Sequence, residues 1–370
     1  MAGPVNQRVI NQRVIAAFVA VPLVAALALV ALFKPLPYTM YSPGPTIDVL
    51  AAPDGKEIIQ VPGQKTYRDD GQLRMTTVSV TPKDSDLNLF QVMGAWLDRS
   101  DAVYPKDAVY PDDKTADQVR DEGQVQMVSS QDTAVAVALE ALGHTVTPAL
   151  EVLLISPGSP ADGALAVRDL FQKVDGKTLS SDIGKASEEL RSAIRSTEAG
   201  QQITFTVLRD GKEVDVPVTP EQPTADLFGL VDLAGSPQVG IQLGQGFVLR
   251  FPVTVTIDPR IGGPSAGLMF SLAIYDTLTP GSLSNGGRVA GTGEIDAEGK
   301  VGAIGGIQQK IAGAREDGAE LFLVPADNCE DAEGAHNGDM RLVRVDTFDT
   351  ARSAIETWAK DHDAKLPSCP

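Results

Sequence analysis

The alternation of apolar and polar positions divides the first part of the chain into a long apolar run, a strand-like region and a helix. Val14–Phe33 is an unbroken run of twenty apolar residues. Residues 38–70 alternate short apolar runs with proline and glycine, which is typical of strands joined by turns, and Gly71–Pro82 predicts a further strand. Val125–Leu142 has apolar residues at helical spacing and therefore predicts a helix. The charged stretch that ends at Glu122 predicts a surface loop before it.

The middle of the chain has the pattern of a small β-rich module. Leu150–Ser156 is an apolar strand-like run, and Ala186–Ser196 has helical spacing. Ile203–Arg209 and Val214–Val218 then predict two strands joined at an Asp-Gly turn.

The last third alternates strands and helices. Val253–Ile257 predicts a strand from its β-branched alternation, and residues 265–278 predict a helix. Residues 288–304 predict a hairpin, and residues 305–317 predict a second helix that carries Lys310. The predicted fold class is therefore α/β (α+β).

The apolar run near the N-terminus has the length of a membrane span. Twenty residues at about 1.5 Å each give about 30 Å, the thickness of the hydrocarbon core of a bilayer. Pro22 is tolerated in such a helix. A cleaved signal peptide is the alternative, but no polar region follows its apolar core. We therefore expect a transmembrane helix over residues 14–33.

Basic residues flank this span unequally. Arg8 and Arg13 precede it, and only Lys34 follows it closely. The excess of positive charge predicts that residues 1–13 are cytoplasmic and that the remainder is extracytoplasmic. The expected location is the cell membrane, with a single pass.

Net charge and cysteine content exclude several classes of protein. The chain of 370 residues has a formal charge of −18, whereas a nucleic-acid partner would require a basic surface. Its two cysteines, Cys329 and Cys369, are too few for a disulfide scaffold or a thiolate zinc site. They form either one disulfide, which an oxidising compartment permits, or two free thiols.

Two polar residues lie where chemistry is expected. Ser265 stands in Gly-Gly-Pro-Ser-Ala-Gly at the start of a predicted helix, where free N–H groups can bind an oxyanion. A simple helix cap is the alternative. Lys310 precedes the apolar Ile311 and Ala314; a desolvated lysine there loses its proton readily and can act as a general base. A solvated surface lysine is the alternative.

The β-rich module resembles a bacterial PDZ domain, which we expect over residues 146–222. Arg168 stands where the family usually has glycine. The resemblance implies binding of a peptide ligand along the first strand, through Leu153, Leu154 and Ile155. It rests on Gly158-Ser-Pro-Ala161, Leu165, Asp169-Leu-Phe171 and Val174-Asp-Gly176.

The motifs of residues 240–360 resemble the peptidase domain of the Lon family. They are GGPSAG, then TGEI, then GxVxxIGGIxxK. The resemblance implies a Ser265–Lys310 dyad, with Thr292 orienting the lysine. Gly263, Pro264 and Gly267 would support the nucleophile.

Together these features resemble the membrane-anchored Lon-like proteases with a PDZ domain that Gram-positive bacteria, including actinobacteria, carry. Residues 35–145 would form a β-rich segment and the first part of the peptidase domain, and residues 235–365 would complete it. The PDZ domain would then be an insertion.

The resemblance implies a serine endopeptidase that acts on unfolded or flexible exported and membrane proteins. No Walker A motif is present in the sequence, so we expect neither ATP dependence nor any cofactor or metal. Lon peptidase domains form rings, which leaves a homo-oligomer open.

Two other functions compete with this interpretation. Gly263-Pro-Ser-Ala-Gly267 also satisfies G-x-S-x-G, so an α/β-hydrolase could recruit His336 or His362. Against that function, only about a hundred residues follow Ser265, and no oxyanion segment of the HGGG type precedes it. A catalytically silent PDZ sensor of peptides would lack Ser265 or Lys310, but the chain has both.

Overall fold

The computed structural model describes residues 12–111, 113–198, 200–221 and 237–369. Most of the predicted cytoplasmic segment, residues 1–11, lies outside the described residues. Residues 222–235, at the predicted boundary between the PDZ and peptidase domains, also lie outside the described residues. The chain divides into two compact units, residues 1–42 with 79–116, and residues 43–78 with 117–370.

The described part of the chain contains helices and strands throughout. The helices are α1 (Gln12–Phe33), α2 (Leu89–Leu97), α3 (Lys106–Val109), α4 (Ala116–Ala141), α5 (Ile183–Ser196), α6 (Gly267–Leu278), α7 (Ile307–Glu316) and α8 (Phe348–Lys360). The strands are β1 (Tyr38–Asp48), β2 (Ile59–Gln60), β3 (Gln72–Val80), β4 (Ala102–Pro105), β5 (Thr147–Ile155), β6 (Leu170–Val174), β7 (Lys177–Thr178), β8 (Ile203–Arg209), β9 (Lys212–Val218), β10 (Ile241–Val248), β11 (Thr254–Val255), β12 (Arg288–Gly291), β13 (Glu294–Ile295), β14 (Val301–Gly302), β15 (Leu321–Pro325) and β16 (Arg341–Val345).

The first unit contains the apolar helix α1. Within α1, Ala16–Phe33 is long and apolar enough to cross a membrane, a test that signal sequences also pass. The start of β1 pairs antiparallel with β4, from Tyr38 opposite Pro105 to Tyr41 opposite Ala102. Helix α2 follows a capping box at Asn88 and contacts α1.

The larger unit has a core built on a mostly parallel sheet. Strands β16, β15, β12 and β3 lie side by side in that order and are parallel. Helices α4, α6 and α8 contribute Leu139, Phe270 and Trp358 to one core with Leu73 of β3. Helix α4 therefore packs with the strands and helices of the predicted peptidase domain.

Helix α4 begins at Ala116, earlier than the predicted Val125. The prediction of a loop up to Glu122 is wrong for residues 116–122. Two contributions of this polar stretch favour a helix: Asp117 lies in the first turn, where the helix dipole favours an acid, and Arg120 pairs with it one turn later at 2.5 Å.

The predicted strand Val253–Ile257 is shorter than expected. Only Thr254–Val255, strand β11, pairs with another strand. Its partner is β2, which is itself two residues long, so the ladder ends where the partner ends.

A second core lies in an antiparallel sheet with the order β10-β5-β6-β8-β9. Leu190 of α5 and Phe205 of β8 are fully buried in this core. Strand β10 pairs with β5 along its whole length, from Ile241 opposite Ile155 to Val248 opposite Thr147. The strand after the predicted PDZ segment thus completes the sheet of that module.

Cys329 and Cys369 form a disulfide. Both belong to a small apolar cluster with Ile307 and Phe322. Of the two arrangements that the sequence left open, the structure has the bridge.

Candidate active site

Ser265 lies in a tight turn between β11 and α6. Gly263, two residues earlier, has φ +91°, a conformation that side chains disfavour and glycine adopts freely. The N–H of Gly263 donates to the carbonyl oxygen of Gly123 at 2.8 Å. The hydroxyl of Ser130 donates to the carbonyl oxygen of Pro264 at 2.9 Å. Helix α4 therefore holds the turn that presents Ser265.

Gly267 allows α4 to approach this turn closely. A Cβ atom on Gly267 would lie 2.8 Å from Ser130 Oγ and 2.9 Å from Ile295 Cγ2. Helix α6 begins at this glycine, two residues after the predicted start at Ser265.

Lys310 projects from the first turn of α7 towards the serine. Its Nζ lies 2.7 Å from Ser265 Oγ and 3.0 Å from Thr292 Oγ1. The hydroxyl of Thr292 donates to the carbonyl oxygen of Ser265 at 2.9 Å. Since that proton is committed to the carbonyl, the threonine oxygen is left to accept from Lys310. The structure thus brings Ser265, Thr292 and Lys310 together.

The surroundings of Lys310 favour its neutral form. The residue is only 4% exposed. Burial lowers the pKa of Lys310 to about 7, although the nearby carboxylate of Glu294 acts in the opposite direction. A substantial fraction of Lys310 is therefore able to accept a proton at neutral pH.

The backbone N–H groups at the start of α6 differ in whether they already have an acceptor. The N–H of Gly267 donates to Pro264 and that of Leu268 to Gly293. Within the described residues, the N–H groups of Ser265 and Ala266 have no hydrogen-bond acceptor. Both are available to an incoming oxygen atom.

The histidines have other partners. His336 Nδ1 lies 2.9 Å from Arg315 Nη1, His362 stacks on Trp358, and His144 packs edge-on against Phe251. None of these three histidines, all of which are described, forms a hydrogen bond with Ser265.

The predicted peptide-binding residues Leu153, Leu154 and Ile155 lie at the end of β5, in the sheet of the second core. Their strand is already paired with β10 on one edge. On the opposite edge, the N–H and carbonyl of Val152 already bond to Asp169 and Arg168, so a peptide that adds a strand to β5 would have to pair beyond Val152.

Sequence reasoning missed the contribution of α4 to the site. Ser130 is 6% exposed and Gln131 is 5% exposed, whereas the other buried residues of α4 are apolar. Polar residues within the apolar face of an amphipathic helix are the signal that could have identified them. Among the described residues, no group of histidine, cysteine or acidic side chains could hold a metal ion.

Comparison with known families finds the same two domain types, but the PDZ model begins within α4, which packs in the core with α6. Residues 257–354 match the family model of the Lon protease C-terminal proteolytic domain, which includes Ser265, Thr292 and Lys310. Residues 124–219 match the model of the PDZ domain.

Curated relatives named Lon protease match about a quarter of this chain. The Lon protease of Campylobacter concisus is 35% identical over 91 residues, which is 24% of this chain and 11% of that protein. Lon protease 2 of Bacillus subtilis is 33% identical over 100 residues, which is 27% of this chain and 17% of that protein. The chain thus spans a small part of these relatives.

Among solved structures, the PDZ domain of the SdrC-like protein from Listeria monocytogenes is 22% identical. The match covers 26% of this chain and 86% of that domain, with a TM-score of 0.21.

Proposed function

Because the chain carries a Lon-type proteolytic domain and a PDZ domain, we propose that it is a membrane-anchored, ATP-independent serine endopeptidase. Ser265 is the nucleophile and Lys310 is its general base. The observation that carries this proposal is the buried Lys310 Nζ at 2.7 Å from Ser265 Oγ, with its pKa lowered to about 7.

In the first half of the reaction, Ser265 Oγ attacks the carbonyl carbon of the peptide while its proton moves to neutral Lys310. The N–H groups of Ser265 and Ala266 stabilise the oxygen that becomes negative. The carbon–nitrogen bond then breaks, and the Lys310 ammonium returns the proton to the departing amine.

In the second half, Lys310 takes a proton from water. The resulting hydroxide attacks the acyl carbon, and the Ser265 oxygen leaves with that proton. Thr292 keeps Lys310 aimed at Ser265 through its bonds to both residues.

Substitution of the dyad tests the mechanism. We expect Ser265→Ala and Lys310→Met each to lower kcat on a short peptide by at least about a thousandfold. The methionine preserves much of the lysine volume, and an unchanged Tm would show that each variant folds. His336→Ala and His362→Ala are the matched controls and should keep full activity. Full activity in Lys310→Met would contradict the mechanism, and loss of activity in a histidine variant would favour an α/β-hydrolase.

Cleavage should not depend on nucleotide. The sequence has no Walker A motif, so nothing in the chain is expected to couple ATP hydrolysis to unfolding of the substrate. Addition of ATP and Mg²⁺ should leave kcat unchanged on both a peptide and an unfolded protein. Stimulation by ATP would contradict this part of the proposal.

The proposed location is the outer face of the cell membrane, with α1 as the anchor. An apolar helix long enough to span a bilayer supports this location, as does the Cys329–Cys369 disulfide, which an exported protein can maintain. Extraction with alkaline carbonate should leave the protein in the membrane pellet, and protease added outside intact protoplasts should degrade it.

The PDZ domain, over residues 146–222, is proposed to be an insertion in a peptidase domain made of residues 35–145 and 235–365. Support comes from α4, which packs in the same core as α6 although the PDZ module separates them in sequence. The pairing of β10 with β5 adds a strand from the later segment to the inserted module. The PDZ domain would recruit flexible exported or membrane proteins by binding a peptide segment.

A further inference from the structure

Helix α2 exposes an apolar face that has no cover in its own unit. Leu89, Phe90, Met93, Trp96 and Leu97 are 42, 51, 48, 82 and 76% exposed, in that order. Their spacing places them on one side of a helix. An exposed apolar patch of this kind marks a surface that binds a membrane or another protein.

The connection of α2 to α1 favours a membrane over another protein as the partner of this apolar face. The N–H of Leu36 donates to the carbonyl oxygen of Leu87 at 2.8 Å, and Leu36 lies three residues after Phe33, the end of α1. Three residues of chain reach at most about 10 Å. The start of α2 is therefore held close to the end of the apolar helix, and the two helices contact each other.

The composition of α2 suits the interface of a bilayer. The helix contains no charged residue, and its most exposed side chain is a tryptophan, the residue type that prefers the level of the lipid headgroups. At nine residues it is too short to span a bilayer. A short helix with one apolar face lies flat at the interface.

We propose that α2 lies in the outer leaflet of the membrane, with its apolar face against lipid. This inference rests on the proposed anchoring by α1. Helix α2 would then give the protein a second contact with the bilayer, in addition to the membrane span of α1.

The two tryptophans of the chain provide the test. Trp96 is 82% exposed on α2, whereas Trp358 is 2% exposed in the peptidase core. The full chain would be reconstituted into phosphatidylcholine vesicles whose acyl chains carry bromine, a quencher, at a shallow or a deep position. Trp96→Phe is the matched control, because only Trp358 emits in it.

We expect shallow bromine to quench the Trp96 emission about twofold, deep bromine to quench it less, and Trp96→Phe to show no quenching. Unquenched Trp96 in a protein that resists carbonate extraction would overturn the proposal while α1 remains the anchor. A blue-shifted but unquenched Trp96 would assign the face to a second copy of the chain and would also overturn it. Release by carbonate would instead contradict the anchor.

A second, independent observation concerns Arg168, the residue that stands where PDZ domains usually have glycine. It has φ +73°, a strained conformation for a residue with a side chain. Its Nε donates to Asp132 Oδ1 at 2.8 Å and its Nη2 donates to Gln131 Oε1 at 2.6 Å. Both acceptors lie on α4, next to Ser130.

Asp132 and Gln131 form a polar cluster with Glu151, where α4 meets the sheet of the PDZ module. Glu151 of β5 is 2% exposed, and burial together with the adjacent Asp132 raises the pKa of Glu151 to about 9. Glu151 Oε2 and Asp132 Oδ2 have no donor in the described part of the chain. A proton retained on Glu151 can join the two carboxyl groups, which leaves one negative charge opposite Arg168.

The cluster is one residue away from the contact that supports the nucleophile. Ser130 donates to Pro264, the residue before Ser265, and its neighbours Gln131 and Asp132 accept from Arg168. We infer that Arg168 is a positioning residue, through which the PDZ domain fixes the part of α4 that holds the Ser265 turn. This inference rests on the proposed peptidase function.

Arg168→Gly separates positioning from folding. The variant removes the side chain while glycine adopts the positive φ without strain. Because the half-buried Asp132 and the buried Glu151 lose their cation, Tm should fall, and kcat is therefore compared per folded molecule. We expect kcat on a short peptide to fall about tenfold with KM unchanged, within the range of measured couplings between sites. Arg195→Ala, which removes an exposed arginine of α5 that pairs with Glu188, is the matched control and should have no effect.

Exchange of the charges provides a rescue. Arg168→Asp combined with Asp132→Arg restores an ion pair, and we expect it to recover part of the lost kcat, whereas each single change does not. Unchanged kcat in a folded Arg168→Gly protein would overturn the inference, as would a lower Tm with normal kcat per folded molecule. Failure of the Ser265–Lys310 mechanism would show itself separately, as activity in Lys310→Met.

Discussion

The protonation of Lys310 depends on the residues around it in the fold more than on its neighbours in sequence. An ordinary lysine keeps its proton well above neutral pH, whereas burial lowers the pKa of Lys310 to about 7. The hydroxyl oxygens of Thr292 and Ser265 accept hydrogen bonds from Nζ, and neither side chain adds a negative charge that would hold the lysine proton. The residue can therefore act as a base near neutral pH.

The pH dependence of cleavage should report this pKa. We expect kcat/KM on a short peptide to rise about tenfold per pH unit below about pH 7 and to level off above it, because only neutral Lys310 accepts the serine proton. A serine-directed acylating reagent should inactivate the enzyme with the same profile. A midpoint near the usual pKa of lysine would contradict the proposed role of burial.

The free energy of unfolding should also depend on pH through Lys310. Folding lowers the Lys310 pKa from 10.5 to about 7, so between these values the unfolded chain binds more protons than the folded one. The free energy of unfolding therefore rises with pH in that window. Lys310→Met should reduce this slope, which denaturant titrations at pH 7 and pH 9 would measure.

At the scale of elements, α4 links the two cores of the larger unit. Its apolar side packs with α6 in the peptidase core, and its buried polar residues face the Ser265 turn and Arg168. The helix thus has a stabilising role and a positioning role at different residues.

Ser130→Ala separates these roles. The change removes one of two hydrogen bonds to the Pro264 carbonyl oxygen, which still accepts from the N–H of Gly267, and it should cost about 1 kcal/mol of stability. Because the lost contact lies beside Ser265, kcat on a short peptide should also fall about tenfold, with KM unchanged. Ser129→Ala, on the same helix, is the control and should change neither quantity. Normal kcat in Ser130→Ala would show that the turn holds Ser265 without α4.

At the scale of the whole molecule, the proposed insertion of the PDZ module predicts that the module can be excised between two paired strands. Thr147 and Val248 are register partners at the ends of β5 and β10, so their Cα atoms lie about 5 Å apart. Excision of residues 148–247 and closure with Asn-Gly should therefore leave the peptidase core intact, since Val146 and Leu249 already pack against it.

The excised protein should distinguish gating from docking. We expect it to cut a short peptide at the rate of Arg168→Gly, because both lack the same contact. An unfolded protein such as casein should be cut about tenfold more slowly still, because the PDZ domain no longer holds it near Ser265. If the two substrates are affected equally in a folded protein, the PDZ domain does not deliver substrate and instead binds a separate partner.

Much of this protein was predictable because its strongest signals are local. The apolar helix predicted over residues 14–33 follows from an unbroken apolar run, and strand β8 and the pair of strands β13 and β14 follow from apolar patterns and turn residues close in sequence. The motifs around Ser265, Thr292 and Lys310 identified the candidate chemistry, since a glycine-framed serine and a lysine among apolar residues are recognisable in short segments.

The sequence by itself thus determined the elements, the two domain types and the residues proposed to react. Only the tertiary structure decided how they are held. The contact from Ser130 to Pro264 joins residues 134 positions apart, strand β10 pairs with β5, and Arg168 donates to Asp132 of α4. Such contacts depend on how whole elements pack, and no periodicity or motif within one segment of the chain carries that information.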